Sequence, residues 1–152
     1  MDRDNSLAMD MILLCSGAVD VKTAQKGIRA LCRYFGGQMI YIPQKKDDGK
    51  SAKKIYGVLV DAVGDKAADA ILDKLMFRFG SLQVYIPLEK NAFRKTIALE
   101  IYERNYNKGE PVNDLAREYN ISFNFAYILW REGRRETFKK TLPYLPFLEF
   151  LH

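Results

Sequence analysis

GGQMIYIP, Gly36–Pro43, returns 44 positions later as GSLQVYIP, Gly80–Pro87. The echo reaches backward from both segments. Aligned without a gap, Ile28–Pro43 and Leu72–Pro87 share Leu31/Leu75, Phe35/Phe79, Gly36/Gly80, Tyr41/Tyr85, Ile42/Ile86 and Pro43/Pro87. Upstream of the first segment, apolar residues at Val21, Ala24, Ile28, Leu31, Cys32 and Phe35 are spaced by threes and fours, as one buried helical stripe requires, and Asp20 is placed to cap that helix. Ala68, Leu72, Leu75, Met76 and Phe79 repeat the stripe after Asp65. A shorter apolar helix precedes each: Leu7, Met11 and Leu14 lie in the first, and Ile55, Val58, Leu59 and Ala62 in the second, which Ser51 is placed to cap. Gln38–Ile42 and Leu82–Ile86 are rich in β-branched and aromatic residues and close on proline, so each predicts a short strand. The chain therefore opens with two helix-helix-strand units in tandem.

One such unit cannot close on itself. A lone five-residue strand leaves both edges unpaired, and two helices leave an apolar face open. Two units supply what each lacks if their strands pair and their helices pool one core.

Beyond Asn91 the pattern changes. Phe93, Ile97 and Ile101 predict a helix to about Asn107, which Lys108-Gly109 ends. Pro111 fits the first position of a second helix, PVNDLAREY, and the turn Asn120-Ile121-Ser122 leads into a third, FNFAYILWREGRRE. Three helices, a tight turn and a basic end outline a helix-turn-helix. Ala116 supplies a small residue for the crossing, Asn120 tolerates a left-handed backbone, and Ile121, Ala126 and Leu129 face inward. Phe125, Leu129 and Trp130 read as core. The outward positions are Phe123, Asn124, Tyr127, Ile128 and Arg131, with Arg134 and Arg135 at the far end.

Charge agrees with a polyanionic partner. The chain carries +5 overall, and residues 90–140 hold 11 Lys+Arg against 7 Asp+Glu, a net of +4. Ser122, Asn124, Tyr127 and Arg131 are the candidates for base readout, because Asn can bond an adenine edge in two places and Arg a guanine. Lys95, Arg134 and Arg135 are the candidates for phosphate. Catalysis finds no purchase: the only histidine is His152, no Cys/His cluster has metal spacing, and no glycine-rich loop leads into Lys-Ser/Thr. No cofactor is expected. No apolar run approaches the length of a membrane span, MDMILLCSGAV lacks the basic flank of a signal peptide, and Cys15 and Cys32 read as reduced core thiols, so the expected setting is cytoplasmic.

The segment QVYIP, followed by a helix and then PVNDLAREYNISFNFAYILWREGRR, resembles the Mor family of phage transcription activators across roughly Lys50 to Arg135. The resemblance implies a sequence-specific activator with a helical dimerisation domain, whose short strands pair across a dimer, and one helix-turn-helix per subunit entering the major groove. It also implies that the strand's Gln and Tyr, here Gln83 and Tyr85, approach the minor groove between half-sites. Being two apart, they share one strand face. Packing alone is a competing explanation for Tyr41 and Tyr85.

This chain departs from that family in carrying a further unit at residues 1–44 with no helix-turn-helix of its own. In that copy Gln38 and Tyr41 are three apart, and a regular strand sends them to opposite faces unless a bulge intervenes. The recognition helix is also more aromatic than the resemblance leads one to expect, and it contains Glu132 and Glu136.

The expected fold is thus mainly α with a small antiparallel β ribbon: two helix-helix-strand repeats, residues 1–44 and 45–89, forming a pseudo-dimer, then a helix-turn-helix at 90–137. The apolar tail at 138–152 is expected to dock on the body or on a partner. The expected partners are duplex DNA and RNA polymerase, with an intrachain pseudo-dimer favoured over a homodimer. The competing reading is a protein-interaction or assembly module in which the aromatic helix and the tail are buried against a partner.

Overall fold

Five residues separate the first two helices, whereas a single glycine separates the next two. In the computed structural model, which describes residues 3–46 and 49–141, α1 (Arg3–Cys15) leads through a turn to α2 (Val21–Phe35). Asp20 caps α2, its carboxylate accepting from the Thr23 backbone N–H at 3.3 Å. The strand β1 (Gln38–Tyr41) follows, then α3 (Lys50–Val63), α4 (Asp65–Phe79), β2 (Gln83–Ile86) and the one-turn helix α5 (Glu89–Ala92). Gly64 alone joins α3 to α4: at φ 88° it donates to the Val60 carbonyl behind it and accepts from Ala68 N–H ahead. Only glycine takes that backbone without a Cβ penalty, so two helices meet at one residue. Ser51 does not cap α3. The helix begins one residue earlier, at Lys50, with Gly49 at its end, leaving Ser51 inside the first turn.

The chain divides into two compact units, Met1–Ala92 and Phe93–His152. In the first, α1 packs on α2, α4 and α5, while α2, α3 and α4 pack on one another. Ile28, Leu31, Ile55, Leu59, Ile71, Leu72 and Leu75 are all but sealed from solvent, each contributing roughly 1.5–3 kcal/mol by burial. Cys15 and Cys32 lie buried in this core without a disulfide, and burial pushes the Cys15 thiol up to about 11 despite nearby Lys74. The strands pair antiparallel in the order β1-β2, with Gln38 opposite Ile86, Met39 opposite Tyr85, Ile40 opposite Val84 and Tyr41 opposite Gln83. Ile86 and Val84 turn inward.

The second unit holds α6 (Arg94–Lys108), α7 (Val112–Glu118) and α8 (Phe123–Thr141), with α8 packed on both α6 and α7. Its core is Ile97, Ala98, Ile101, Tyr102, Leu115, Ala116, Ala126 and Leu129. The sequence suggests one helix from Asn91. The chain instead breaks at Phe93, which leaves the helical region at φ −118°, ψ 30° and separates α5 from α6. Gly109 ends α6 in a left-handed conformation. Pro111 stands one residue ahead of α7, its extended ψ of 139° keeping it out of the helix. The described residues thus form eight helices and one two-stranded antiparallel sheet. The tail expected to dock falls, from Leu142 onward, outside the described residues.

Candidate nucleic-acid interface

The turn between α7 and α8 is built from backbone hydrogen bonds. Ile121 N–H donates to the Ala116 carbonyl at 3.0 Å and Asn120 N–H to Arg117 at 3.1 Å, closing the end of α7. Asn120 reverses the chain at φ 55°, a conformation that Asn accepts more readily than most residues. Ser122 then caps α8: its Oγ accepts from Phe125 N–H at 3.1 Å. The hydroxyl assigned to base readout is therefore engaged in holding the helix start.

Beyond the cap, α8 divides by face. Ala126 and Leu129 are fully buried, whereas Phe123, Asn124, Tyr127, Ile128 and Arg131 are all exposed. Phe125 and Trp130, read as core with Leu129, are only half-buried. The Arg94 guanidinium lies 5.1 Å from the centre of the Phe125 ring. Trp130 Nε1 donates to Asn105 Oδ1 at 2.9 Å, and Asn105 in turn donates to the Glu110 carbonyl at 2.8 Å. Rings form a ladder that runs from the exposed face through the buried Tyr102 to the exposed Tyr106: Phe123 to Tyr127 at 6.4 Å, Tyr127 to Trp130 at 5.8 Å, Trp130 to Tyr102 and Tyr102 to Tyr106 each at 5.5 Å.

The residues assigned to phosphate have different surroundings. Lys95 projects into solvent with Glu136 at 3.4 Å. Arg134 lies over the Trp130 ring, 5.2 Å from its centre. Arg135 is half-buried, and its Nε is sealed from solvent without a hydrogen-bond partner. Arg94 and Glu132, which the sequence reading did not pair, join α6 to α8 at 3.0 Å.

The connection from α6 to α7 is held by a network of charged side chains at the surface. Arg104 bonds Glu110 at 2.7 Å and also bonds Glu118, and these two carboxylates raise its pKa above the usual arginine value while holding the Glu110 carboxyl below its own. Tyr119 OH donates to Glu100 Oε1 at 2.7 Å. Burial, then that hydrogen bond to a carboxylate, pushes the phenol up to about 12.

In the first unit, the ribbon presents Gln83 and Tyr85 outward together with their cross-strand neighbours Tyr41 and Met39, all exposed. The register is continuous, without a bulge, so Gln38 falls opposite Ile86 on the other face from Tyr41. Met39, not Gln38, completes the outward face of β1. The three-residue spacing of Gln38 and Tyr41 in an unbulged strand decides this.

Among the described residues no group of His, Cys, Asp and Glu is arranged to hold a metal ion, and no helix is long and apolar enough to cross a membrane. No curated protein and no solved structure matches the chain. Residues 46–145, which span β2, the turn at Asn120 and the divided face of α8, match the sequence model of the Mor transcription activator family, and the chain belongs to that family.

Proposed function

We propose that the chain is a sequence-specific transcription regulator that binds double-stranded DNA through α7 and α8 as a helix-turn-helix, α8 being the recognition helix. The observation that carries this reading is the face of α8 after the Ser122 cap: Asn124, Tyr127 and Arg131 are exposed one helical turn apart, on a helix whose opposite face is sealed by Ala126 and Leu129. Asn124 and Arg131 have the donor and acceptor sets that read base edges. Lys95 and Arg134 supply flanking positive charge for phosphates, with Arg135 contributing through its terminal nitrogens. Gln83 and Tyr85 offer a second, strand-borne contact. The protein acts without catalysis, in the cytoplasm of a bacterium, and recruits RNA polymerase as an activator.

The platform for this head is a pseudo-dimer of tandem copies within one chain. Support comes from the 44-residue offset. Val21–Phe35 shifted by 44 becomes Asp65–Phe79, and these are the bounds of α2 and α4. The two helices end alike, Gly36 at φ −54°, ψ 135° and Gly80 at φ −53°, ψ 134°, each followed by a residue of positive φ, Gly37 and Ser81. Gly37 N–H donates to the Ile86 carbonyl at 2.7 Å, and its counterpart Ser81 N–H donates to the Ile42 carbonyl at 2.8 Å. Ile40 and Val84, equivalent under the same shift, face each other across the ribbon. This register supports a local two-fold axis through that pair, as in an isologous interface between two subunits.

Gel shifts on the DNA flanking the gene test the reading. Binding is expected to weaken steeply with salt and about tenfold or more on Arg131→Ala, with relaxed specificity. Absent or sequence-independent binding favours the second reading, an assembly module, for which the specific observation is the exposure of Phe123, Tyr127 and Ile128 on the same face.

A further inference from the structure

At the two ends of the ribbon, the chain leaving each strand is tied to the second helix of the other copy, and the two ties have opposite polarity. Beyond β2, Glu89 accepts from Arg29 Nε at 2.6 Å and from Arg33 at 2.8 and 3.1 Å, an acid arriving on the bases of α2. Beyond β1, Lys46 reaches Asp69 and Asp73 at 3.1 Å each, a base arriving on the acids of α4. The 44-residue shift superposes Arg29 on Asp73, Arg33 on Phe77 and Lys45 on Glu89. Arg29/Asp73 and Lys45/Glu89 thus hold opposite charges, Arg33 falls on an apolar ring, and Lys46 alone keeps its charge, at Lys90.

We propose that this inversion is a pairing code that makes the first copy fit the second and neither copy fit itself. The inference rests on the tandem-copy reading above and adds what selects the partner. Pairing of first copy with first copy brings Lys45 and Lys46 against Arg29 and Arg33. Pairing of second with second sets Glu89, whose side chain is only 16% exposed, against Asp73 and Phe77 in place of two guanidinium groups. Lys90, at the position of Lys46, answers Asp69 and Asp73 in that arrangement but leaves Glu89 without its donors. The exposed Lys46 pairs contribute little to stability. Discrimination comes from the wrong partner, because a desolvated charge that loses its counter-charges costs far more than a correct pair gains. Copy one is in this sense a dedicated cap for copy two, and it keeps the ribbon within one chain.

The test uses the full chain and compares wild type with Glu89→Gln, Glu89→Arg, the double variant Arg29→Glu/Arg33→Glu, and the triple variant that combines the last two changes. Light scattering is expected to give the mass of one chain for wild type. Glu89→Gln lowers Tm modestly, each half-swap lowers it by about 5 °C or more beyond that, and the triple variant recovers most of the loss. Where a half-swap does not fold alone, the two are co-expressed, since the first copy of each then matches the second copy of the other. A soluble two-chain complex supports the code, and no complex overturns it. A triple variant that melts no higher than either half-swap, with wild type monomeric, also overturns it. A wild-type mass of two chains sinks the underlying one-chain pairing instead, so the two failures are distinct.

Discussion

Gly133 of α8 passes so close to Ala98 of α6 that a Cβ on it would fall 2.1 Å from the Ala98 carbonyl oxygen and 2.8 Å from Cβ of Tyr102. The obstacle is backbone, which cannot swing aside as a side-chain tip can. Gly133→Ala is expected to prise α8 from α6 and to cost about 3 kcal/mol or more by overpacking. Gly57, inside α3, has nothing within 4 Å of the same added atom. Gly57→Ala is expected to stabilise by about 0.5–1 kcal/mol through helix propensity. Chemical denaturation of the two variants reads both signs, and similar behaviour would refute the close crossing.

Base readout and phosphate contact separate by their response to sequence. Asn124→Ala is expected to lose about 1–3 kcal/mol of binding to the preferred site and to relax discrimination there. Lys95→Ala is expected to weaken all duplexes alike and to reduce the slope of log affinity on log salt by about one. Titrations of one cognate and one scrambled duplex at several salt concentrations distinguish the two patterns.

Glu89 sets the acid limit of the first unit. Burial alone would raise its carboxyl, but hydrogen bonds from Arg33 and Arg29 outweigh burial and hold it below the ordinary value of 4.5. With the folded pKa below the unfolded one, the stability it supplies is complete above about pH 4.5 and is lost as pH falls through the folded value. Denaturation curves for Glu89→Gln are expected to show about 1–2 kcal/mol less stability at neutral pH and a shallower loss on the acid side. An unchanged acid limb would refute the role.

Tyr119 sets an alkaline one. Its phenol is raised from 10.0 to about 12, so its share of stability is present below about pH 10 and lost as pH climbs toward the folded value. Tyr119→Phe is expected to cost about 1 kcal/mol at pH 7 by removing the hydrogen bond that Tyr119 donates to Glu100 and to remove its late-titrating step from the ultraviolet absorbance curve.

Elements with strong periodicity were legible from the sequence. The stripe through Ile28, Leu31, Cys32 and Phe35 locates α2, and its echo locates α4, because burying one face requires that spacing. Asn120 and Ser122 marked the turn because each does a local job, a left-handed reversal and a cap, that few residue types perform. What escaped depends on residues distant in sequence. The break at Phe93 belongs with α5, whose Glu89 is drawn to Arg29 and Arg33 some 60 positions earlier. The crossing of α8 with α6 at Gly133 is invisible without Ala98 beside it, whereas Ala116, read as the small residue for the crossing of α7 with α8, is buried on α7. A glycine inside a helix, where propensity argues against it, was the signal available for Gly133.

The antiparallel bond between β1 and β2 has a consequence for dosage. A strand whose mate is tethered to it meets that mate at a local concentration fixed by the connecting chain, however few molecules the cell contains. Assembly of the ribbon is then a first-order event, and under the proposed function occupancy of a DNA target is expected to rise in simple proportion to scarce protein, without the threshold that a bimolecular encounter imposes.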